Sequence, residues 1–392
     1  MNLLFCAWSY SLMPGRPSGS GQRLMQIARG LNPWSDVAIL VAPDNPVTDR
    51  DIELRVVRDV ASGLAWADAV YLMDEFPDEL PAAAAHAGLV VVSENHTPIE
   101  HLFYRTHDGV GPDERYLAVV ARYRSQLAYA DFFVVRSEVE RACVVDGLVT
   151  AGRIDAAALA VDETLGHLVD VVPVGVLTSE LESLAEGRRH EPRSLSGAGV
   201  CWNGGVWEFH DPVRLVRTLD AMAPVDRPIR LLFPFLPDSP SPVVEELRAV
   251  AAPASDRRVV TTLAEHPAPH LRDEVIGGAA AFACVARNSA ENILCHRLRL
   301  RDSYLYRRPF IADGFGATGA FVESSGIGIA LGSGRIDNDA RRLRRLLTDI
   351  DAWRSCASAI DRLLPSVLLD RHCERLARRI ERLLTDIARR GG

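Results

Sequence analysis

Short, unbroken apolar runs alternate with amphipathic stretches along the whole chain. In the first half the runs are LLFCAW (from Leu3), DVAILVAP, AVYLMD, GLVVVSEN, DFFVVRS and VDVVPVGV, with helical stretches such as QRLMQIARGL between most of them. Runs of Val, Ile and Leu without in-out alternation suit strands covered on both faces, the condition of a parallel sheet packed between helices. Strand-helix repetition therefore predicts an α/β fold built on a doubly wound parallel sheet. From Leu177 to Gly197 the pattern dissolves into LTSELESLAEGRRHEPRSLSG, whose charge, serine and proline content reads as a linker. A second series then opens with GVCW, IRLLFPF, RRVVTT, AAAFACVA, PFIAD and GIGIALG, and the chain closes on DRHCERLARRIERLLTDIARR, an amphipathic helix with Leu and Ile at helical spacing. The expected organisation is a Rossmann-like domain over 1–176, a linker over 177–197, a second Rossmann-like domain over 198–366 and a terminal helix over 367–392. Two such sheets with an interdomain cleft would bind ligands beyond the carboxyl ends of their strands.

The stretch CWNGGVWEFHDP, from Cys201 to Pro212, starts the second series. GVCW is its first strand, and Gly204-Gly205 forms the turn that leaves it. Asp211 suits a helix N-cap and Pro212 the first helical position, so DPVRLVRTLDAM is the following helix. Glycines after a strand let backbone approach a ligand, and a nearby helix start offers N–H donors to an anion. Tight-turn packing accounts for the pair equally well.

Composition narrows the field. At 392 residues, 48% hydrophobic and 24% charged, the chain holds two ordinary globular domains. A net charge of −8 argues against a nucleic-acid partner. All 44 basic residues are arginine, so any anion must be held by guanidinium groups, histidines, backbone N–H groups or a metal. The 7 cysteines are scattered with no CxxC pair, which excludes zinc-ribbon and dithiol motifs. HTPIEH lacks a third ligand, and the prolines of EHPAPH prevent the helix that a two-histidine zinc motif uses, so no metal is expected. No run reaches the ~18 apolar residues of a membrane span. MNLLFCAWSY has no basic n-region, and a cytoplasmic protein is expected.

Several stretches resemble bacterial glycosyltransferases of family four. GGVWEFHDP is similar to the loop that opens the family's second domain. ENILCHRLRLRDSYLYRRPFIAD resembles its donor segment, with Glu291, Arg297, Arg299, Asp302 and Pro309 in the matching places. SGSGQRLMQIARGL is similar to its glycine-rich loop and first helix, with Gly21 and Arg23 matching. The resemblance implies the GT-B fold, a terminal helix that returns to the first domain, and retaining transfer of a sugar from a nucleotide-diphosphate donor with GDP, UDP or ADP as the carrier. It implies no cofactor beyond that substrate. A small molecule bearing a hydroxyl, amine or thiol is the expected acceptor, as in specialised-metabolite (antibiotic) biosynthesis. The alternatives are a cell-envelope polysaccharide or lipid acceptor, and a sugar-nucleotide-binding pseudoenzyme.

Transfer from a diphosphate requires positive groups and N–H donors aimed at the charge that gathers on the leaving group. Gly204, Gly205, Arg297 and Arg299 are the candidates, with Trp207 beside them. By family likeness Glu291 holds the sugar, Asp302 the ribose, and His96, at the end of GLVVVSENH, faces the sugar and polarises the acceptor. Gly21 and Arg23 would line the wall of the cleft. The sequence also departs from the family. Nothing basic but His210 lies between Trp202 and Arg214, where an Arg and Lys pair is usual, and Arg307 stands where a glycine is expected.

Overall fold

The first sheet is built of seven parallel strands: β1 (Asn2–Cys6), β2 (Asp36–Leu40), β3 (Arg55–Val57), β4 (Ala69–Leu72), β5 (Val90–Glu94), β6 (Phe132–Val135) and β7 (Val169–Val171). Their order is β3-β2-β1-β4-β5-β6-β7. The second has six: β8 (Gly199–Cys201), β9 (Ile229–Phe233), β10 (Val259–Leu263), β11 (Ala279–Cys284), β12 (Phe310–Asp313) and β13 (Gly328–Leu331), in the order β10-β9-β8-β11-β12-β13. This computed structural model describes residues 1–13, 18–94, 97–99, 112–184, 189, 195, 199–222, 229–233, 241–251, 259–263, 276, 278–332 and 335–391. The chain divides into two units, Met1–Pro173 with Leu368–Gly392, and Val174–Val367.

Each continuous apolar run is a strand, as runs suited to cover on both faces should be. The side chains of β4, β5, β6, β11 and β12 are buried throughout. Phe5 pairs with Ile39 on one side and Tyr71 on the other, and the Phe5 and Tyr71 rings stack at 4.5 Å. One strand carried no apolar-run signal: β3 is three residues long and its Arg55 is exposed. In both sheets the order reverses beside the first strand of the unit, between β1 and β4 and between β8 and β11. That reversal splays the two following loops apart and opens a crevice at the carboxyl edge.

The expected linker is not structureless where it begins. Thr178–Ser183 is a helix, and its Glu180 pairs with Arg301 at 2.7 Å. The last helix, Leu369–Gly391, buries Leu369, Cys373, Leu376, Ala377 and Ile380. It packs on the Gly19–Leu31 helix of the first unit, and Arg375 of the same helix meets Asp170 at 2.7 Å. Among the described residues no helix is long and apolar enough to cross a membrane.

Arg307 resolves one departure from the family pattern. It caps the Leu300–Tyr306 helix with φ 58°, the left-handed conformation a glycine adopts without strain. Its guanidinium reaches both carboxylate oxygens of Asp361, at 2.9 and 2.8 Å from Nε, with a terminal nitrogen 2.7 Å from one of them. Beneath the neighbouring Arg308, Trp353 is fully buried and donates its indole N–H to the Ala280 carbonyl at 2.8 Å. Replacing Trp353 with Ala leaves a cavity and an unpaired carbonyl, so urea unfolding followed by circular dichroism should register a loss of about 3–5 kcal/mol.

Candidate functional site

The loops after β8 and β11 flank the order reversal of the second sheet. The first runs from Trp202 to the helix Pro212–Asp220, which starts as its sequence requires: Asp211 accepts the Arg214 N–H at 3.0 Å and Pro212 takes the first position. Gly204 has φ 125°, open only to glycine. A Cβ there would lie 2.8 Å from Nε of Arg299. One at Gly205 would meet the Trp207 ring at 3.0 Å. Gly204 is therefore required by its backbone conformation, while a side chain at Gly205 would press on the half-exposed Trp207 ring. The N–H groups of Gly204 and Gly205 have no acceptor among the described residues.

Arg299 lies over this turn. It donates from one terminal nitrogen to the Gly205 carbonyl and from the other to Cys284 Sγ at 3.6 Å. Its guanidinium carbon stands 5.4 Å from the centre of the buried Trp202 ring, whose indole N–H also donates to Gly205 O, at 3.3 Å. No carboxylate forms an ion pair with Arg299 among the described residues. Burial lowers its pKa from the ordinary value, yet a guanidinium in that range keeps its charge. Arg297 is placed differently: its side chain covers the Phe209 ring at 4.5 Å, while its backbone N–H donates to Thr318 Oγ1 at 3.0 Å.

His210 closes the loop from inside. It is 1% exposed, accepts the Trp207 N–H at Nδ1 (3.0 Å), and sets Nε2 3.7 Å from Cys284 Sγ. With Nδ1 acting as acceptor, the ring proton of the neutral form sits on Nε2. Burial first, then the charges of Arg299 and Arg297, hold the His210 pKa well below its ordinary value.

Asp302 is buried in the first turn of the Leu300–Tyr306 helix. Asn203 Nδ2 donates to its Oδ2, and Arg301 donates to Oδ1 at 3.2 Å. Arg301 in turn pairs with Glu180, so Asp302 supports the start of the glycine turn while being held by the second unit's first helix. Glu291 stands in the first turn of the Ala290–Leu294 helix, separate from the Leu300–Tyr306 helix that carries Asp302, and is 5% exposed. Trp207 is half-exposed, its ring against Gly205.

Other residues at this edge were not evident from sequence. Asn292 donates to the carbonyls of Phe209 (3.1 Å) and Arg287 (2.6 Å), lashing the two loops together. Gly316 passes so close that a Cβ would fall 1.9 Å from the Asn292 carbonyl. Asp313, at the end of β12, accepts N–H groups from Ala286 and Phe315 at 3.2 Å each, and burial raises its pKa. Asn203 alone had a signal, standing before glycine in a turn.

Of the first-unit candidates, His96 lies outside the described residues, as do the remaining histidines of HTPIEH and EHPAPH. Gly21 is buried, with its N–H on Ser18 Oγ at 3.0 Å and a Cβ position 2.6 Å from the Ser11 carbonyl. The expectation that Arg23 lines a cleft wall is overturned. Its side chain is 1% exposed and every arm is used: Nε on Glu94 at 2.8 Å, the terminal nitrogens on the Pro173 and Val172 carbonyls at 2.8 and 2.7 Å. The Tyr71 hydroxyl donates to the other Glu94 oxygen. Arg23 is thus a buried strut, because a glutamate on β5 and two carbonyls after β7 converge on it. Among the described residues no group of three or more His, Cys, Asp and Glu is placed to hold a metal ion.

No protein-family model matches this sequence, and no curated protein matches it either. Solved structures do match in fold. HepE of Anabaena, in a complex with UDP-glucose, aligns at TM-score 0.62 and 15% identity over 98% of this chain and 100% of that one. WaaG, a glycosyltransferase involved in lipopolysaccharide biosynthesis, aligns at TM-score 0.62 and 12% identity over 96% and 98%. AviGT4, a glycosyltransferase involved in avilamycin A biosynthesis, aligns at 0.60 and 15% over 98% of each. The chain has the GT-B fold of these glycosyltransferases.

Two outcomes follow from the buried groups. Arg23→Met strands the Glu94 carboxylate and should cost about 3–5 kcal/mol in urea unfolding, with the Arg23→Met/Glu94→Gln pair losing markedly less. The depressed pKa of His210 means the unfolded chain binds its proton more readily, so stability is full above the ordinary value of 6.5 and falls as pH drops below it. Thermal melts between pH 7 and 5 should show that decline, and His210→Asn, which cannot titrate, should flatten it.

Proposed function

We propose that the chain is a metal-independent, retaining glycosyltransferase that moves a sugar from a nucleoside diphosphate to a small-molecule acceptor bearing a hydroxyl, amine or thiol. One observation carries the reading: among the described residues, a guanidinium in no carboxylate ion pair lies over a turn whose two glycine N–H groups have no acceptor, beside the order reversal of the second sheet. Backbone donors and a fixed cation together suit the anion of a leaving diphosphate. The likeness to a structure holding UDP-glucose makes UDP the first carrier to test, and the likeness to AviGT4 supports a small-molecule acceptor.

In this reading the bond between the anomeric carbon and the diphosphate oxygen breaks, its electron pair leaving with the diphosphate. Arg299 and the N–H groups of Gly204 and Gly205 take up that charge. The acceptor atom bonds to the anomeric carbon on the face the diphosphate leaves, and its proton passes to the departing phosphate. Glu291 and Asp302 accept hydrogen bonds from hydroxyls of the donor, which carboxylates do in pairs. Arg299 reaches the turn from the segment before the Leu300–Tyr306 helix, while the loop after β8 itself carries no arginine between Trp202 and Arg214.

The pseudoenzyme alternative has its own observation, since Asp302 already holds Asn203 and Arg301. Incubation with UDP-, GDP- and ADP-sugars decides between them: slow release of free sugar or transfer marks an enzyme, binding without turnover a pseudoenzyme. Glu291→Ala should reduce turnover by about 100- to 1,000-fold with an unchanged circular dichroism spectrum. Unchanged turnover would remove Glu291 from the site. The anomeric proton signal of the product tests retention, and inversion would overturn it.

A further inference from the structure

The charge at the glycine turn depends on where one guanidinium is held, and the residues that hold it are uncharged. Arg299 is anchored at two atoms: the Gly205 carbonyl and Cys284 Sγ. Cys284 ends β11, is 1% exposed, and so is fixed by the sheet itself. Its sulfur faces a second nitrogen, Nε2 of His210, at 3.7 Å. His210 is fixed in its turn by the Trp207 N–H on Nδ1, by its own N–H on the Trp207 carbonyl at 2.9 Å, and by the bridge that pairs it with Ala286. The Trp202 ring lies edge-on to His210 at 5.2 Å and beneath the Arg299 guanidinium. Three elements converge on the sulfur: the strand that carries it, the loop that carries His210 and the segment that carries Arg299.

The charged groups acting on the ring are Arg299 and Arg297, both cationic, and the Cys284 thiol lies against Nε2. A protonated imidazole there would add a third cation in a buried space, so His210 serves as a neutral donor. A carboxylate in place of the sulfur would hold Arg299 more tightly and neutralise it, as Glu94 does to Arg23. A thiol is a weak acceptor that orients the guanidinium and leaves its charge available to a ligand.

We infer that His210 and Cys284 are positioning residues, which aim Arg299 at the Gly204-Gly205 turn so that a diphosphate meets one pre-set guanidinium. The inference rests on the nucleotide-donor reading above. Pre-setting a long side chain removes the entropy it would otherwise lose on binding.

The test is calorimetric titration of the intact chain with UDP, GDP and ADP, followed by the tightest of them against variants. Cys284→Ala and His210→Phe should each weaken binding about tenfold, whereas Cys284→Ser and His210→Asn, which keep the acceptor and the donor, should stay within about twofold of the parent. Arg299→Met should weaken binding by about 10- to 150-fold, with Arg299→Gln as the substitute should it fail to fold. In the Arg299 variant background Cys284→Ala should cause less than about a twofold further loss, because nothing remains to be aimed. A tenfold loss in both backgrounds would make Cys284 a packing residue and overturn the inference, as would parent-like binding by Cys284→Ala and His210→Phe. A folded parent chain that binds none of the three nucleotides would overturn the donor reading itself, a result distinct from either.

Discussion

A guanidinium resting on a backbone that has no room for a Cβ is the contact on which the site depends. Gly204 adopts a conformation that only glycine reaches freely, and the space this frees is filled by Arg299. The arrangement brings a positive charge within reach of the carboxyl edge of a parallel sheet, where two loops part because the strand order reverses. Everything else in the neighbourhood supports it: Trp202 beneath, Cys284 and Gly205 at its ends, Asn203 held by Asp302, and Asn292 tying the loops together.

Among the described residues Arg299 forms no carboxylate ion pair, unlike several other buried arginines. Arg23 is consumed by Glu94, Arg136 by Glu140 four residues on, and Arg301 by Glu180 and Asp302, each in a buried or nearly buried pair. Such pairs cost much to break and lend rigidity, but they spend the charge within the fold. All the lysine-type and arginine-type charge of this chain is arginine, so an anion meets guanidinium groups rather than ammonium groups. The buried, neutral His210 fits the same logic, since it donates a hydrogen bond without adding to a positive cluster.

Residues that share a family-like motif are placed very differently by the fold. Arg23 and Arg299 both lie in motifs that resemble the family's, and only the convergence of Glu94, Val172 and Pro173 reveals that Arg23 is internal. Arg307, read as a departure, keeps the left-handed backbone that the expected glycine would supply and adds an ion pair with Asp361. Cys284 gave no sign, because a cysteine ending an apolar run is indistinguishable from any other core residue until its neighbours are known.

Strands, most of their connecting helices, the Asp211-Pro212 helix start and the glycine turn were determined by the sequence alone, because each follows from a local cause: continuous apolar runs, a capping side chain, an allowed φ. β3 escaped because three residues with an exposed arginine make no such run, and the Thr178–Ser183 helix because its support comes from Arg301, 121 residues away. Which arginines are neutralised, which carboxylates are spent, and that a sulfur and an imidazole meet at one guanidinium were decided only by tertiary structure. Those facts depend on side chains far apart in sequence, and a one-dimensional pattern holds no record of which charges will share a buried space.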